Sequence, residues 1–489
     1  MRHTIGLMIG DSLREIRDLP PTMTVLDWLR IEEGRRGCKE GCGEGDCGAC
    51  TVVVGDLEQG RLRYRAVNAC IRFLATLDGK HLLTVEDLQG TDGRLHPVQQ
   101  ALVDCHGSQC GYCTPGFVMA LYALYREGTR PDPARIDDSL AGNLCRCTGY
   151  GPIIAAAQAM HDLEGPDPVQ GRESEIIECL GSLKRDGMLD IEAGGQRLMA
   201  PRSADEVAQT LLDHADAVLL SGGTDVGLWV TRQLRELGKV VYLGEAADLR
   251  SVDVDGLQIV IGANATLDDI HPVVTRHYPD FGEVLRRFGS VQVRNVATLC
   301  ANVANGSPIG DSAPVLIALD AQVTIRRGKR RRRVAVEDFF IDYGVQDLQP
   351  GEFIESISIP LSGAGTVLKA YKISRRFDQD ISAVCGAFSL TVSGGILADV
   401  RIGFGGMAAT PVRARHAEAA MRGRAWTEET VERGVKAFAS DVTPIDDLRA
   451  SAEYRMLVAG NLLRKAFMES TADPERTRVL ERRQAVHAA

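Results

Sequence analysis

The chain has 489 residues, a formal net charge of −10 and 13 cysteines. That length exceeds what one hydrophobic core supports and predicts several domains. The acidic balance gives no general reason to expect nucleic acid, and an odd cysteine count gathered in short-range groups suits metal ligation better than disulfides. No run approaches the roughly 20 apolar residues of a membrane span, and residues 1–10 read as a strand without a signal-peptide core. The expectation is a soluble, cytoplasmic protein.

Residues 1–85 alternate like short strands around one helix at 25–30, a small α+β unit. Inside it, residues 41–50 (GCGEGDCGAC) set three cysteines among four glycines. The order Cys42, Cys47, Cys50 is Cys-x4-Cys-x2-Cys, the plant-type 2Fe-2S spacing, and Cys70 stands where a fourth thiolate is needed. The glycines let the loop adopt φ > 0 and turn N–H groups toward the sulfurs. A zinc knuckle or disulfide pair fits less well, because zinc cysteines come as two compact pairs and Cys70 stands alone. Cys38 lies outside the pattern and reads as a bystander. Residues 51–54 read as the strand anchoring the loop.

From His96 the pattern turns helical, and residues 86–164 form the next unit. Phe117, Met119, Leu121, Leu124 and Tyr125 line one predicted helix. Cys110 and Cys113 precede it, and Cys145 and Cys147 follow a further helix signal at 136–140. Pro115 and Pro152 open helices beside the two pairs, and helix N-termini favour negatively charged sulfur. The pattern predicts a second 2Fe-2S centre; Cys105 reads as a buried helix thiol.

Residues 165–190, rich in charge, read as a linker. A module at 191–365 follows. A strand signal at 189–192 leads to a helix with a capping box from Ser203 to Glu206. An apolar strand at 218–220 then runs into SGGTDV, whose bare N–H groups suit a pyrophosphate, although it is not the Rossmann fingerprint. The polar stretches RNVATLCAN (294–302) and SPIGD (307–311) suit close backbone contact with a ligand. The basic run at 326–333 lies between two strand patterns, so Gly328-Lys329 reads as a hairpin tip rather than a binding patch. Residues 366–489 form the last unit, ending in helices near 448–467.

The stretches QCGYCTPG (109–116) and GNLCRCTGY (142–150), behind a plant-type cluster loop, resemble the molybdenum hydroxylases, the xanthine dehydrogenase and aldehyde oxidase family. The resemblance extends over nearly the whole chain. It implies a multidomain α+β protein: a ferredoxin-like 2Fe-2S domain, a four-helix 2Fe-2S domain, a two-part α/β FAD-binding domain that is not Rossmann, and a C-terminal α+β subdomain. By resemblance, Cys42, Cys47, Cys50 and Cys70 hold the cluster nearer the flavin. Cys110, Cys113, Cys145 and Cys147 hold the one nearer the molybdenum, and Gln109 approaches the molybdopterin of a neighbouring domain.

The same resemblance puts Leu220, Ser221, Gly222, Gly223, Thr224, Asp225 and Val226 on the FAD pyrophosphate. It puts Thr298, Asn302 and Asp311 on the ribityl and adenosine portions, with Phe288 near the rings. Ala297, Ala301, Asn305, Phe353, Ile354 and Lys372 complete the site. Cys300-Ala301 stands where the family usually has Gly-Gly, a departure that bears on the backbone approach. Phe339, Phe340 and Tyr343 resemble the segment where nicotinamide docks, or are plain core.

Clusters pass single electrons while NAD accepts two as hydride, and a flavin reconciles the counts. The resemblance therefore implies the iron–sulfur and FAD subunit of a xanthine dehydrogenase. Electrons would come from a separate molybdopterin-binding large subunit, in a heterotetramer of two of each chain, and leave to NAD. Alternatives are the equivalent subunit of an aldehyde, nicotinate or carbon monoxide hydroxylase, or a stand-alone iron–sulfur flavoprotein carrier. Neither nucleic acid nor membrane is an expected partner.

Overall fold

A computed structural model describes residues 1–184 and 186–471. The first unit is a five-stranded sheet in the order Ser12–Ile16, Ile5–Ile9, His81–Leu83, Thr51–Glu58, Arg61–Asn68. Its central strands read as continuous apolar runs, IGLMI and TVVV, because both faces are buried. Successive side chains point to opposite sides: Leu7, Ile9, Val52 and Val54 pack into one core, and Met8, Val53 and Leu83 into another.

Four helices, Pro97–Asp104, Thr114–Tyr125, Pro133–Leu140 and Gly151–Ala159, fill the second of these cores. Pro97, Pro115, Pro133 and Pro152 each stand in a first turn, where the missing N–H costs nothing. The first core is shared with strands Leu189–Ala193, Gln196–Ala200, Val218–Leu220 and Lys239–Tyr242. The ferredoxin-like sheet is thus a wall between the helical unit and the unit that follows.

Four local expectations change. The helix at 25–30 is one α turn, Val25–Asp27, capped by Thr24, which widens into a π turn over Trp28–Glu32. The stretch 165–190 holds a helix, Glu173–Leu183, whose Ile176, Leu180 and Leu183 recur at i, i+4 and i+7 and bury against the first unit. The boundary expected at 190/191 falls inside strand Leu189–Ala193, which is tied to the N-terminus because Asp190 N–H donates to Arg2 O at 2.7 Å. The capping box is also half made. Ser203 accepts from Glu206 N–H, while the Glu206 carboxylate accepts from Arg202 N–H instead of closing back on Ser203.

The remainder comprises a five-stranded sheet, Val252–Val254, Gln258–Gly262, Phe353–Pro360, Gln322–Arg327, Arg330–Ala335, and an antiparallel four-stranded sheet, Thr366–Ile373, Val384–Ser393, Ile396–Gly405, Val412–Arg413. Helices Arg415–Met421, Glu428–Ala437 and Ala452–Thr471 cover the latter. The basic run forms the expected hairpin around Gly328-Lys329, and three of its arginines are paired locally. Arg326 pairs with Glu355 at 2.8 Å, Arg331 with Glu355 at 2.5 Å, and Arg332 with Asp347 and Glu352 at 2.6 and 2.7 Å.

Candidate functional site

The loop from Cys42 to Cys50 and the turn carrying Cys70 bring four sulfurs together. Cys50 Sγ and Cys70 Sγ are 3.2 Å apart, and the Cys42 sulfur is within hydrogen-bonding reach of Cys47 and Cys70. Gly43, Gly45 and Gly48 have φ of +67°, +77° and +70°. That curvature aims the N–H groups of Glu44, Asp46 and Cys47 at Cys42 Sγ, each at 3.4 Å. Hydrogen bonds from the Cys47 and Cys70 side chains hold the Cys42 thiol well below its ordinary range. The same bonds push Cys47 and Cys70 up. Four sulfurs, two of them buried, with N–H donors on one of them, suit an iron–sulfur core as a donor set.

The second group assembles as two pairs: Cys113 within reach of Cys145, and Cys110 within reach of Cys147. Cys113 caps the helix that Pro115 opens, and burial pushes its thiol up to about 12. Thr148 directs its N–H and hydroxyl at Cys145 Sγ, at 3.4 and 3.1 Å. Cys110 and Cys147 are exposed, so this group lies at the surface, and exposed Gln109 precedes it.

Sequence reasoning missed the bridge between the groups. Leu144 N–H donates to Cys47 O at 3.0 Å, and the Asn143 amide donates to Gly48 O at 3.0 Å. Each bond links the residue beside one ligand pair to the other cysteine loop. No signal in the sequence could have paired them, since they are about 95 residues apart.

A cavity of about 530 Å³ opens beside the Ser221–Asp225 turn. Of the residues expected there, 221–226, Phe288, Ala297, Thr298, Ala301, Asn302, Asn305, Phe353 and Ile354 line it. The Ser221–Asp225 turn approaches residue 296 so closely that a Cβ on Gly222 would lie 2.0 Å from Val296 O. Thr298 caps helix Leu299–Asn305, and its hydroxyl lies 3.2 Å from the Ser221 hydroxyl. Burial pushes the Asp225 carboxyl up. In the departing pair, Cys300 turns its thiol toward Ile261 O at 3.8 Å and Ala301 offers only a methyl. Both line the cavity without closing it. A roomy cleft beside bare backbone N–H groups fits a dinucleotide flavin.

Leu220, Asp311 and Lys372 do not line this cavity. Leu220 is buried in the core shared with the first sheet. Lys372 Nζ donates to Asp311 Oδ2 at 2.6 Å, both buried, and the Ser382 hydroxyl takes the other carboxylate oxygen. Phe339 and Phe340 are core, while Tyr343 is 71% exposed beside the lining residues Gly344 and Gln346. Trp229, Leu243 and Ala263 also line the cavity; they come from separate elements and carried no motif.

The cysteine loop and the cavity meet at Ile71, next to Cys70. A Cβ on Gly223, which lines the cavity, would lie 3.6 Å from Ile71 O, one on Gly227 just behind it 2.4 Å from the same oxygen, and one on Gly45 2.5 Å from Ile71 Cδ1.

Four family models match in series. They are described as a 2Fe-2S iron-sulfur cluster binding domain at 8–74, a [2Fe-2S] binding domain at 84–158, an FAD binding domain in molybdopterin dehydrogenase at 193–362, and a CO dehydrogenase flavoprotein C-terminal domain at 369–470. Xanthine dehydrogenase of Emericella nidulans is 33% identical over 88% of this chain and 36% of its own length. Xanthine dehydrogenase/oxidase of Gallus gallus is 30% identical over 92% of this chain and 38% of its own. The chain thus spans little more than a third of these relatives. Among solved structures, a carbon monoxide dehydrogenase chain from Hydrogenophaga pseudoflava superposes with a TM-score of 0.53 at 29% identity, covering 55% of this chain and 94% of that one. Among the described residues, no helix is long and apolar enough to cross a membrane.

Proposed function

This chain belongs to the molybdenum hydroxylase family as its iron–sulfur and flavin-binding portion, and from that premise we propose that it is the electron-transfer portion of a xanthine dehydrogenase. Electrons released by hydroxylation of xanthine or hypoxanthine on a molybdopterin-binding partner would cross two 2Fe-2S clusters to FAD and leave to NAD. The proposed assembly is a heterotetramer of two of each chain in the cytoplasm. The observation that supports the reading is that Ile71, next to Cys70, packs against the Gly223–Gly227 stretch whose Gly223 lines the cavity.

In this reading Cys42, Cys47, Cys50 and Cys70 hold one cluster. Cys110, Cys113, Cys145 and Cys147 hold the other at the exposed end, where Gln109 would face the molybdopterin partner. The Ser221–Asp225 turn, with Thr298, Ala301, Asn302 and Asn305, would hold FAD. Bound FAD supplies the conversion between single electrons and a hydride pair. The chain's own contribution is placement: the Leu144 and Cys47 backbone bond ties the cysteine groups to each other, and Ile71 ties the nearer group to the cavity wall. Lys372 and Asp311 would brace that wall from behind rather than touch the flavin. Tyr343, exposed beside the lining, would meet the nicotinamide.

The two relatives above that match over 88% and 92% of this chain are named as xanthine dehydrogenases, and that favours a purine over carbon monoxide. The test is steady-state turnover of the complete complex with xanthine, comparing NAD with oxygen. Turnover with xanthine and NAD is expected. NADH-dependent dye reduction with no purine oxidation by either acceptor would remove the purine assignment and leave the electron-transfer reading standing.

A further inference from the structure

Two peptide units of the Cys42–Cys47 loop donate to the Cys42 sulfur at one end and accept from flavin-side chains at the other. Glu44 N–H points at Cys42 Sγ, and the carbonyl of that same peptide unit, Gly43 O, accepts from the Thr231 hydroxyl at 2.8 Å. Cys47 N–H also points at Cys42 Sγ, and the carbonyl of its peptide unit, Asp46 O, accepts from the Gln379 side-chain amide at 2.5 Å. The Thr231 hydroxyl has a second acceptor, Gly227 O, farther away at 3.2 Å.

These donors come from separate parts of the chain. Thr231 ends helix Val226–Thr231, which leaves the Ser221–Asp225 turn. Gln379 is nearly buried, in the loop between strands Thr366–Ile373 and Val384–Ser393, with φ of +49°. Such a φ is uncommon outside glycine, and it aims the side chain at a carbonyl 333 residues away in sequence.

A donor on a peptide carbonyl polarises the unit and strengthens the bond its N–H makes. N–H bonds to a ligating sulfur favour the more negative, reduced state of a cluster and raise its potential. Taking Cys42 as a cluster ligand, the reading given above, we propose that Thr231 and Gln379 are positioning residues that raise the reduction potential of the plant-type cluster. They act through the Gly43–Glu44 and Asp46–Cys47 peptide units. The flavin-binding part thereby makes its own neighbouring cluster the better electron acceptor.

The test is an EPR-monitored redox titration of the full cofactor-loaded chain and its Thr231→Val, Gln379→Met and Thr231→Ser variants. Thr231→Val and Gln379→Met should each lower the reduced-to-oxidised ratio of one cluster two- to tenfold at fixed poise, which is about 18–59 mV for a one-electron couple. The other cluster should not move, and Thr231→Ser, which keeps the hydroxyl, should titrate like the parent. If Thr231→Val does not retain its cluster, Gln379→Met and Thr231→Ser decide. Unchanged midpoints, equal shifts in both clusters, or a Thr231→Ser shift as large as that of Thr231→Val would overturn the inference while leaving the cluster assignment intact. A parent chain with no 2Fe-2S signal would instead bring down the assignment and the inference with it.

Discussion

Gln292 donates its side-chain N–H to the Asn143 side-chain oxygen at 2.8 Å, with both residues buried, and Asn143 passes its own N–H to Gly48 O. One amide pair thereby joins the flavin-binding part, the helical unit and the ferredoxin-like loop. Replacing Asn143 by Ala takes the nearer acceptor from the Gln292 amide, while Gly48 O keeps its bonds from the Thr51 hydroxyl and N–H at 2.7 and 3.0 Å, so the cost is about 1 kcal/mol. Amide exchange around residues 48–51 should rise about tenfold, while exchange in the C-terminal sheet should not change. Uniform or absent change would show that the junction does not depend on this pair.

Gly222 tolerates no side chain, because a Cβ there meets Val296 O at 2.0 Å. Gly222→Ala must push the turn away from residue 296 and open the cradle. Retention of FAD through gel filtration should fall at least tenfold, about 1.4 kcal/mol of binding, with both iron–sulfur signals intact. Parent-like flavin content would contradict the placement of the pyrophosphate on this turn.

Under the proposed function, Cys147→Ser should delete one of two iron–sulfur EPR signals and stop electron flow from purine to NAD, leaving NADH-driven dye reduction. Cys110 and Cys147 do not line the cavity, so the flavin half-reaction does not need them. Survival of both signals would contradict the ligand assignment.

Lys372 and Asp311 are almost fully buried, so removing one charge leaves the other without compensation. Lys372→Met should cost about 3–5 kcal/mol in thermal or urea unfolding, and adding Asp311→Asn should restore part of it. Equal loss in the single and double variants would mean the pair is not coupled.

Asp56 titrates abnormally. Burial pushes its carboxyl up, but the Lys80 ammonium at 2.6 Å more than offsets this and holds it below the usual carboxylate range. A depressed value in the folded state contributes stability that is fully present above about pH 4 and is lost as the pH falls below it. Lys80→Met should flatten the acid limb of the stability curve below pH 4. An unchanged acid limb would show that the pair does not contribute to it.

Much of the site was legible in the sequence because its chemistry is local. A Cys-x4-Cys-x2-Cys loop with glycines between the sulfurs has few ways to fold around anything else, and Pro115 and Pro152 mark their helix starts in the sequence itself. The Ser221–Asp225 turn was readable for the same reason. The Glu173–Leu183 helix was hidden because its charged residues resemble a linker, although Ile176, Leu180 and Leu183 carried the helical period.

By itself the sequence determined which residues share a turn: the cysteine loops, the Ser221–Asp225 cradle, the hairpin at Gly328. Backbone conformation there is set by residues within a few positions of one another. The tertiary structure decided which of those turns touch. It set Ile71 against Gly227, aimed Gln379 at Asp46, and gave Lys372 to Asp311 rather than to the cavity. Those contacts join residues from about 60 to more than 300 positions apart, and they exist only because the packing of separate elements, rather than local backbone preference, brings them together.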